Sequence, residues 1–342
     1  MSDTTPDIQD DYKLPHDAFF KATFAMQDFA KAFVKHILPK KLVAKLNIEK
    51  LTVEKLEFRD DLFRGLFPDI VYRVPIKGVR GSVCVHTVIE HKAQNDQMAI
   101  FQLSRYVMQL CDHEVRTAKE QKKLNRRFRL SPIIPILLHQ GLSAFTGPTQ
   151  LADMFYPVEG TERYLPKLQA VLVDLTKIDE KRLPRDPETP ELYVVLLIMK
   201  VIFSKDRATL LSKWQEILDE LKPYSEMPKY RRLIRLFWYY TGYNTTKLTE
   251  TDYKEIEADI RKNTGDDTMP TLAQIFTKKG EAKGKADGII RTLTKRIAQP
   301  SEKLEEKLLA LTNLEQLDQL FDLALDCQSL DEFENLLAQV TM

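Results

Sequence analysis

The sequence predicts a mixed α/β fold, of the α+β kind, with a mainly helical C-terminal half. Four β-type runs lie between residues 51 and 138, and two segments with helical periodicity flank or interrupt them. From residue 191 onward, apolar residues recur almost everywhere at helical spacing. Strands that are mixed with amphipathic helices are typical of a sheet whose faces are covered by helices.

The first predicted element is a helix between Pro15 and Pro39, where aromatic and aliphatic residues recur at helical spacing. Strands are predicted over 51–58, 69–74 and 82–89, and the last of these, SVCVHTVI, is rich in β-branched residues. An amphipathic helix over 97–124 and a buried strand over 131–138 complete a helix–strand–strand–strand–helix–strand order. The turn over 75–81 contains two glycines, which favours a hairpin between the second and third strands.

The second half begins with a strand predicted over 170–175, followed by helices over 191–203, 210–221, 230–240 and 253–261. The aromatic segment 230–240 has the spacing of core packing, which we favour over nucleic-acid stacking. The glycine-containing stretch 278–288 is interpreted as a linker, and short helices are predicted over 302–311, 314–325 and 331–340. We therefore expect a disordered N-terminus (1–13), a core (14–180), a helical extension (181–265) and a linker with an acidic helical tail (266–342).

Composition and charge exclude several classes of protein. No run of about 18 apolar residues predicts a membrane span, and the N-terminus lacks the features of a signal peptide. The 3 cysteines are far apart, which argues against a disulfide framework and favours the cytoplasm. The net charge is +1, but 116–129 carries seven bases against one acid, while the residues from 301 onward carry ten acids against two bases. A basic patch of this kind suits a polyanion such as DNA, although a solvated helix face is an equal alternative.

The candidate reactive site of the sequence consists of Asp69, Glu90 and Lys92. Glu90 and Lys92 are two residues apart at the end of the third predicted strand, so they should share one face of the sheet. A hairpin would bring Asp69, at the head of the preceding strand, beside Glu90. Two converging carboxylates suit Mg²⁺, with Mn²⁺ as an alternative, and a nearby ammonium group suits hydrolysis of a phosphodiester bond. The spacing of these three residues alone is a weak signal.

Several short motifs make the sequence resemble a known family. They are His16-Asp17-x-x-Phe20-Lys21, Pro68-Asp69-Ile70, Ile89-Glu90-His91-Lys92, Gln102-x-x-Arg105-Tyr106 and Pro135-Ile136-x-x-x-His139-x-Gly141. In the order α-β-β-β-α-β, these motifs resemble the PD-(D/E)xK nuclease superfamily, whose core is like that of restriction endonucleases. More narrowly, they resemble the recombination-promoting nuclease (Rpn) family, which includes transposase-like proteins, over nearly the whole chain from about residue 14.

The resemblance implies a metal-dependent DNA endonuclease linked to recombination or mobile elements. Asp69, Glu90 and Lys92 would be catalytic, and Mg²⁺ would be held by Asp69, Glu90 and the main-chain carbonyl of His91. Many family members have Gln where this chain has Lys92, and Lys is the fuller superfamily pattern. The supporting residues would be Asp17, Lys21, Gln102 and Tyr106. The predicted DNA contacts are Arg105, Lys119, Lys122, Lys123, Arg126 and Arg127.

Other interpretations remain open at this stage. Asp17 lies where any acid favours a helix dipole, Lys21 has the features of an ordinary surface charge, and Tyr106 has those of a packing residue. A zinc site that uses Cys84, His86, His91, Cys111 or His113 is a minor alternative, because the usual ligand spacings are missing. The chain is alternatively a catalytically silent module that binds DNA or a partner and forms a homodimer through its helical tail. A third interpretation is cleavage of RNA, which the sequence does not separate from cleavage of DNA.

Overall fold

The computed structural model describes residues 16–54, 70–78, 84–204, 206–244, 247–264, 272–311 and 313–340. Only the backbone is described for Asp17 and for residues 84–90, 243, 264, 272–279, 303 and 310. The strands are β1 (Thr52–Glu54), β2 (Ile70–Pro75), β3 (Cys84–Lys92), β4 (Ile133–His139) and β5 (Val171–Asp174). The helices are α1 (His16–Phe24), α2 (Gln27–Ile37), α3 (Lys40–Val43), α4 (Ala99–Glu120), α5 (Pro190–Val201), α6 (Arg207–Leu221), α7 (Pro228–Asn244), α8 (Glu250–Thr264), α9 (Leu272–Arg296), α10 (Glu302–Ala310), α11 (Leu314–Asp326) and α12 (Leu330–Val340).

The strands form one mixed sheet in the order β1-β2-β3-β4-β5. Neighbouring strands are antiparallel from β1 to β3 and parallel from β3 to β5. Ile70 pairs with Ile89 across the antiparallel pair, and Glu90 lies in register with Leu137 across the parallel pair. Parallel neighbours need a crossover connection, and α4 makes it between β3 and β4. The predicted order of elements and the predicted antiparallel hairpin are therefore confirmed.

Helices cover both faces of this sheet. On one face, Ile100, Leu103 and Tyr106 of α4 form a buried cluster with Val71 of β2 and Leu137 of β4. The residue after Val71 points the other way, and the hydroxyl of Tyr72 donates a hydrogen bond to the main-chain oxygen of Phe24, 2.7 Å away. The opposite face is thus covered from the N-terminal side of the chain, where α2 also contacts the almost wholly buried α5.

Several predicted boundaries need correction. The single helix predicted between Pro15 and Pro39 is two helices, because the chain leaves the helical conformation at Ala25 and Met26. Strand β3 continues beyond Ile89 to Lys92, since it pairs with β4 along this whole stretch. Helix α4 ends at Glu120, so that the basic patch continues past the helix. The latter part of the strand predicted over 51–58 lies outside the described residues.

The chain divides into two compact units, Phe20–Leu221 and Met1–Phe19 together with Lys222–Met342. In the second unit, apolar residues of α9 to α12 form one buried cluster, and the aromatic segment of α7 is buried as core, as the spacing favours. The linker prediction over 278–288 is wrong, because these residues form the middle of α9. Ala282, Ala286, Ile289 and Leu293 recur at helical spacing and bury one face of α9, which outweighs its glycines.

No helix among the described residues is long and apolar enough to cross a membrane.

Candidate active site at the end of strand β3

The side chain of Lys92 lies at the C-terminal end of β3, on the face of the sheet that α4 covers. Its ammonium group is 2.8 Å from Oε1 of Gln102 and 3.0 Å from a carboxylate oxygen of Asp96. Only 18% of the side chain is exposed. A mostly buried lysine whose ammonium group is held by two acceptors has a fixed position, and it presents a positive charge at the edge of the sheet.

Gln102 and Tyr106 continue this arrangement along α4. They are four residues apart and therefore lie on one side of the helix. The side-chain amide of Gln102 donates to the hydroxyl of Tyr106 at 2.6 Å, while its oxygen accepts from Lys92. Tyr106 is also part of the buried cluster under α4. Two of the four predicted supporting residues thus join Lys92 in one hydrogen-bonded chain, here called the Lys92–Gln102–Tyr106 chain.

Asp96 is a site residue that the sequence reasoning missed. One of its carboxylate oxygens contacts Lys92, and the other accepts from the main-chain N–H of Met98 at 2.8 Å. Asp96 therefore closes the turn that leads into α4 while it orients the ammonium group. An Asp directly before a predicted helix is a turn signal, and its four-residue spacing from Lys92 was the one clue to a contact.

His91 points to the opposite face of the sheet from Lys92. Its ring stacks on Phe20 with centroids 4.9 Å apart, and its Nε2 is 2.9 Å from Oε1 of Gln140. The amide of Gln140 donates in turn to the main-chain oxygen of Met199. Because the amide oxygen of Gln140 can only accept, Nε2 of His91 is the donor. The imidazole therefore packs and bonds within the fold. The predicted metal ligand of His91 is its main-chain carbonyl oxygen, not this ring.

The predicted acidic residues are placed only in part. Asp69 lies outside the described residues, and Glu90 is described by its backbone position alone, beside Leu137. Asp17 lies in the first turn of α1, and Lys21 is an exposed residue of the same helix. Among the described side chains, no three His, Cys, Asp or Glu are grouped closely enough to hold a metal ion. Asp69 and Glu90 stand outside that set.

A loop after β4 supports the turn that carries Asp96. Asn95 accepts a hydrogen bond from the N–H of Thr146 at 2.8 Å and donates to the oxygen of Ala144 at 3.1 Å. There is no room for a side chain at Gly147, where an added Cβ would lie 3.0 Å from the main-chain oxygen of Asp96. The loop over 143–147 and the turn at Asp96 are therefore packed against each other.

The same loop is anchored from β5 and β4. Asp174 accepts hydrogen bonds from the N–H groups of Phe145 and Thr176 and from the hydroxyl of Thr176, at 2.9, 3.0 and 2.6 Å. Burial acts to raise the pKa of Asp174, but these hydrogen bonds outweigh it and hold the pKa below its usual value. Nε2 of His139 is 2.8 Å from the main-chain oxygen of Ser143, and the ring fills the space that a Cβ at Gly141 would need.

The basic patch lies on the surface at the far end of α4 and beyond it. Its side chains are exposed, and Arg105 is exposed on the same helix, nearer to Lys92. The predicted DNA contacts thus follow α4 from the end beside Lys92 to the turn after Glu120. They are Arg105, Lys119, Lys122, Lys123, Arg126 and Arg127.

Comparison with known proteins adds a family. The model of the family described as “Putative transposase, YhgA-like” matches residues 14–227. This stretch includes the whole of the unit Phe20–Leu221, and with it the Lys92–Gln102–Tyr106 chain. No solved structure gives a significant match.

Three curated proteins are similar in sequence. The recombination-promoting nuclease RpnC of Escherichia coli K12 is 26% identical over 269 residues, which are 78% of this chain and 82% of that protein. The recombination-promoting nuclease RpnD of Escherichia coli O157:H7 is 27% identical, over 48% of this chain and 60% of that protein. The protein named “Putative inactive recombination-promoting nuclease-like protein YjiP”, from Escherichia coli K12, is 35% identical over 28% of this chain and 89% of its own length.

Proposed function

The chain belongs to the YhgA-like transposase family, and from this premise we propose that it is a metal-dependent endonuclease that hydrolyses phosphodiester bonds in DNA. Asp69, Glu90 and Lys92 are the catalytic residues of this proposal, on a core of the PD-(D/E)xK type. The observation that carries it is the fixed ammonium group of Lys92, two residues beyond Glu90 in β3. The relatives named recombination-promoting nucleases support the reaction class and its link to recombination.

The register of the sheet supports a site shared by Asp69 and Glu90. Asp69 is bonded to Ile70, which pairs with Ile89, the neighbour of Glu90. Residues directly opposite each other in an antiparallel pair lie about 4.5 to 5.5 Å apart between Cα atoms. Alternate residues of a strand share a face, so that Glu90 belongs to the face on which Lys92 lies. A metal ion shared by Asp69 and Glu90 would require both carboxylates to reach one point beside this ammonium group.

The donor set fits Mg²⁺ or Mn²⁺. Two carboxylates and the main-chain carbonyl of His91 are hard oxygen donors, which these ions prefer. The imidazole of His91, which a softer metal would take, is turned away and bonded to Gln140. When bound between Asp69 and Glu90, the ion would supply a Lewis acid for the phosphoryl oxygen and lower the pKa of a coordinated water.

The protein's own groups supply the remaining parts of the reaction. Lys92 places a positive charge beside the phosphate, where negative charge develops as water attacks and the leaving oxygen departs. Gln102 and Asp96 fix this ammonium group, and Tyr106 fixes Gln102, so that little reorganisation is needed during the reaction. The exposed Lys and Arg side chains along α4 bind the rest of the DNA backbone through their positive charges.

The proposal is tested by nicking of supercoiled plasmid DNA, with linear duplex, single-stranded DNA and RNA as further substrates. We expect nicking in Mg²⁺ or Mn²⁺, and none in EDTA. A protein that binds DNA under these conditions yet never cleaves it with any of these ions would instead be a catalytically silent binding module. That second function is favoured by one observation, the relative named as inactive.

The basic patch gives a prediction about binding. A variant with Lys119, Lys123, Arg126 and Arg127 changed to Ala should bind a DNA duplex more weakly because contacts with phosphates are lost. Each lost phosphate contact should reduce the steepness with which the logarithm of the DNA association constant falls against the logarithm of salt concentration by about 0.9. The loss of four contacts should therefore reduce this slope by roughly 3 to 4. The measurement is fluorescence anisotropy of labelled duplex at several salt concentrations.

A matched control replaces four exposed lysines elsewhere in the same unit. These are Lys40, Lys41, Lys177 and Lys181. The control has the same net charge as the patch variant but should keep most of the salt slope. Equal slopes for the two variants would mean that the patch is a solvated helix end and not a DNA contact.

A further inference from the structure

A buried glutamine on α4 has no hydrogen-bond partner among the residues that the structure describes. Gln109 is only 8% exposed, and neither the nitrogen nor the oxygen of its side-chain amide bonds to any group in the described part of the protein. Other buried polar side chains of this unit are bonded, such as Ser104 to the oxygen of Phe101 and Gln140 to His91 and Met199. A buried amide with both groups unpaired destabilises a fold, so its presence needs an explanation.

The position of Gln109 relates it to the candidate site. Gln109 follows Gln102 by seven residues, which is close to two helical turns, so the two side chains leave α4 on the same side. It also follows the exposed Arg105 by four residues, and residues so spaced are neighbours on a helix. Arg105, Gln102 and Gln109 thus form one edge of α4, which begins beside Lys92.

The distance along α4 from Gln102 to Gln109 corresponds to a whole number of nucleotides in a DNA strand. Seven residues of helix rise by about 10.5 Å, and a DNA strand advances by about 3.4 Å per nucleotide along its axis. A strand that has its reacting phosphate at Lys92 and runs along α4 would reach Gln109 about three nucleotides away. A glutamine amide both donates and accepts hydrogen bonds, as contacts with a sugar–phosphate backbone or a base edge require.

We propose that Gln109 is a substrate-binding residue: its amide, covered and unpaired among the described residues of the free protein, turns outward beside the exposed Arg105 and gains hydrogen-bond partners when a DNA strand binds along α4. This inference rests on the proposed function and extends it to a contact outside the reacting groups. The free protein carries the destabilising amide, and the bound complex recovers the lost hydrogen bonds as affinity. Stability and binding should therefore respond in opposite directions when the amide is removed.

The test replaces Gln109 by Met, which has a similar length and no polar group. The full chain of Gln109→Met should melt about 2–4 °C higher than the parent, because an unpaired buried amide has been removed. Its affinity for a short fluorescein-labelled DNA duplex should fall about tenfold, as measured by anisotropy with Ca²⁺ in place of Mg²⁺. The matched control is Gln215→Met, at an exposed glutamine of α6, which should leave the affinity unchanged.

Each outcome of this test has a separate meaning. If the parent binds DNA and Gln109→Met binds it equally well, the inference about Gln109 is wrong while the proposed function stands. If Gln109→Met melts lower than the parent, the amide is paired in the free protein and the inference is also wrong. If the parent itself does not bind DNA, the proposed function fails and the inference fails with it. A second variant, Gln109→Glu, adds a negative charge at the same place and should weaken binding most at low salt.

Discussion

Replacing Glu90 by Ala is expected to abolish Mg²⁺-dependent nicking of plasmid DNA, and Asp69→Ala should do the same. Each change removes one of the two carboxylates that we propose as metal ligands, and the rate should fall by roughly 10³-fold or more. Lys92→Ala should lower the rate by a similar order, since it removes the positive charge beside the phosphate. Initial rates of conversion of supercoiled to nicked plasmid measure the effect.

Controls separate loss of chemistry from loss of structure. Glu159→Ala changes an exposed acid of the same unit and should nick like the parent. The circular dichroism and thermal melting of Glu90→Ala should resemble those of the parent, and its DNA affinity should remain within a few-fold. Lys92→Arg keeps the charge but not the contacts with Gln102 and Asp96, and it should recover only part of the rate. Unchanged nicking by both carboxylate variants would remove Asp69 and Glu90 from the site.

The part of the fold that sequence predicts well is the part with strong periodicity. Alternation in β2 and β-branched residues in β3 marked the antiparallel pair, and the helical spacing of Ile100, Leu103 and Tyr106 marked α4. The last three residues of β3 were not predicted as strand, because Glu90, His91 and Lys92 are polar. They are held as strand by parallel pairing with β4, a contact between residues distant in sequence that no local pattern reveals.

The site was predicted in outline from motifs, and its supporting contacts were not. Spacing on one helix indicated that Gln102 and Tyr106 belong together, and their hydrogen bond agrees with this. Asp96 and Asn95 were missed, since a turn before a helix explains both residues without any role in a site. Helix α9 was missed for a related reason. Its glycines indicate a break locally, whereas the buried face formed by Ala282, Ala286 and Ile289 outweighs them in the folded chain.

Asp174 gives the second large effect, on stability. Asp174→Ala should lower the free energy of unfolding by about 3 kcal/mol or more, because the main-chain N–H groups of Phe145 and Thr176 lose their acceptor in a buried place. For a protein of this size, the melting temperature should fall by about 6 °C or more. Asp174→Asn keeps the shape and one acceptor oxygen, so it should lose less. An alanine variant as stable as the parent would mean that the loop over 143–147 does not depend on this carboxylate.

The lowered pKa of Asp174 adds a dependence on pH with a definite sign. A carboxyl group whose pKa is lower in the folded than in the unfolded state stabilises the fold above its unfolded pKa, about 3.9, and ceases to do so as pH falls through the folded value. The stability difference between the parent and Asp174→Asn should thus be constant near neutral pH and shrink at pH values below about 4. Urea titrations at several pH values measure this difference, and one that grows on acidification would contradict the lowered pKa.

The same variant connects the loop to the site. Asp174 lies against the loop that bonds to Asn95, and Asn95 is adjacent to Asp96, which orients Lys92. If this packing positions the ammonium group, Asp174→Asn should reduce kcat more than it raises KM, even at a temperature where the protein is fully folded. Asn95→Ala, which removes the contact next to Asp96, should reproduce the loss of kcat with a smaller loss of stability. A change in stability alone, with kcat intact in both variants, would limit the loop to a structural role.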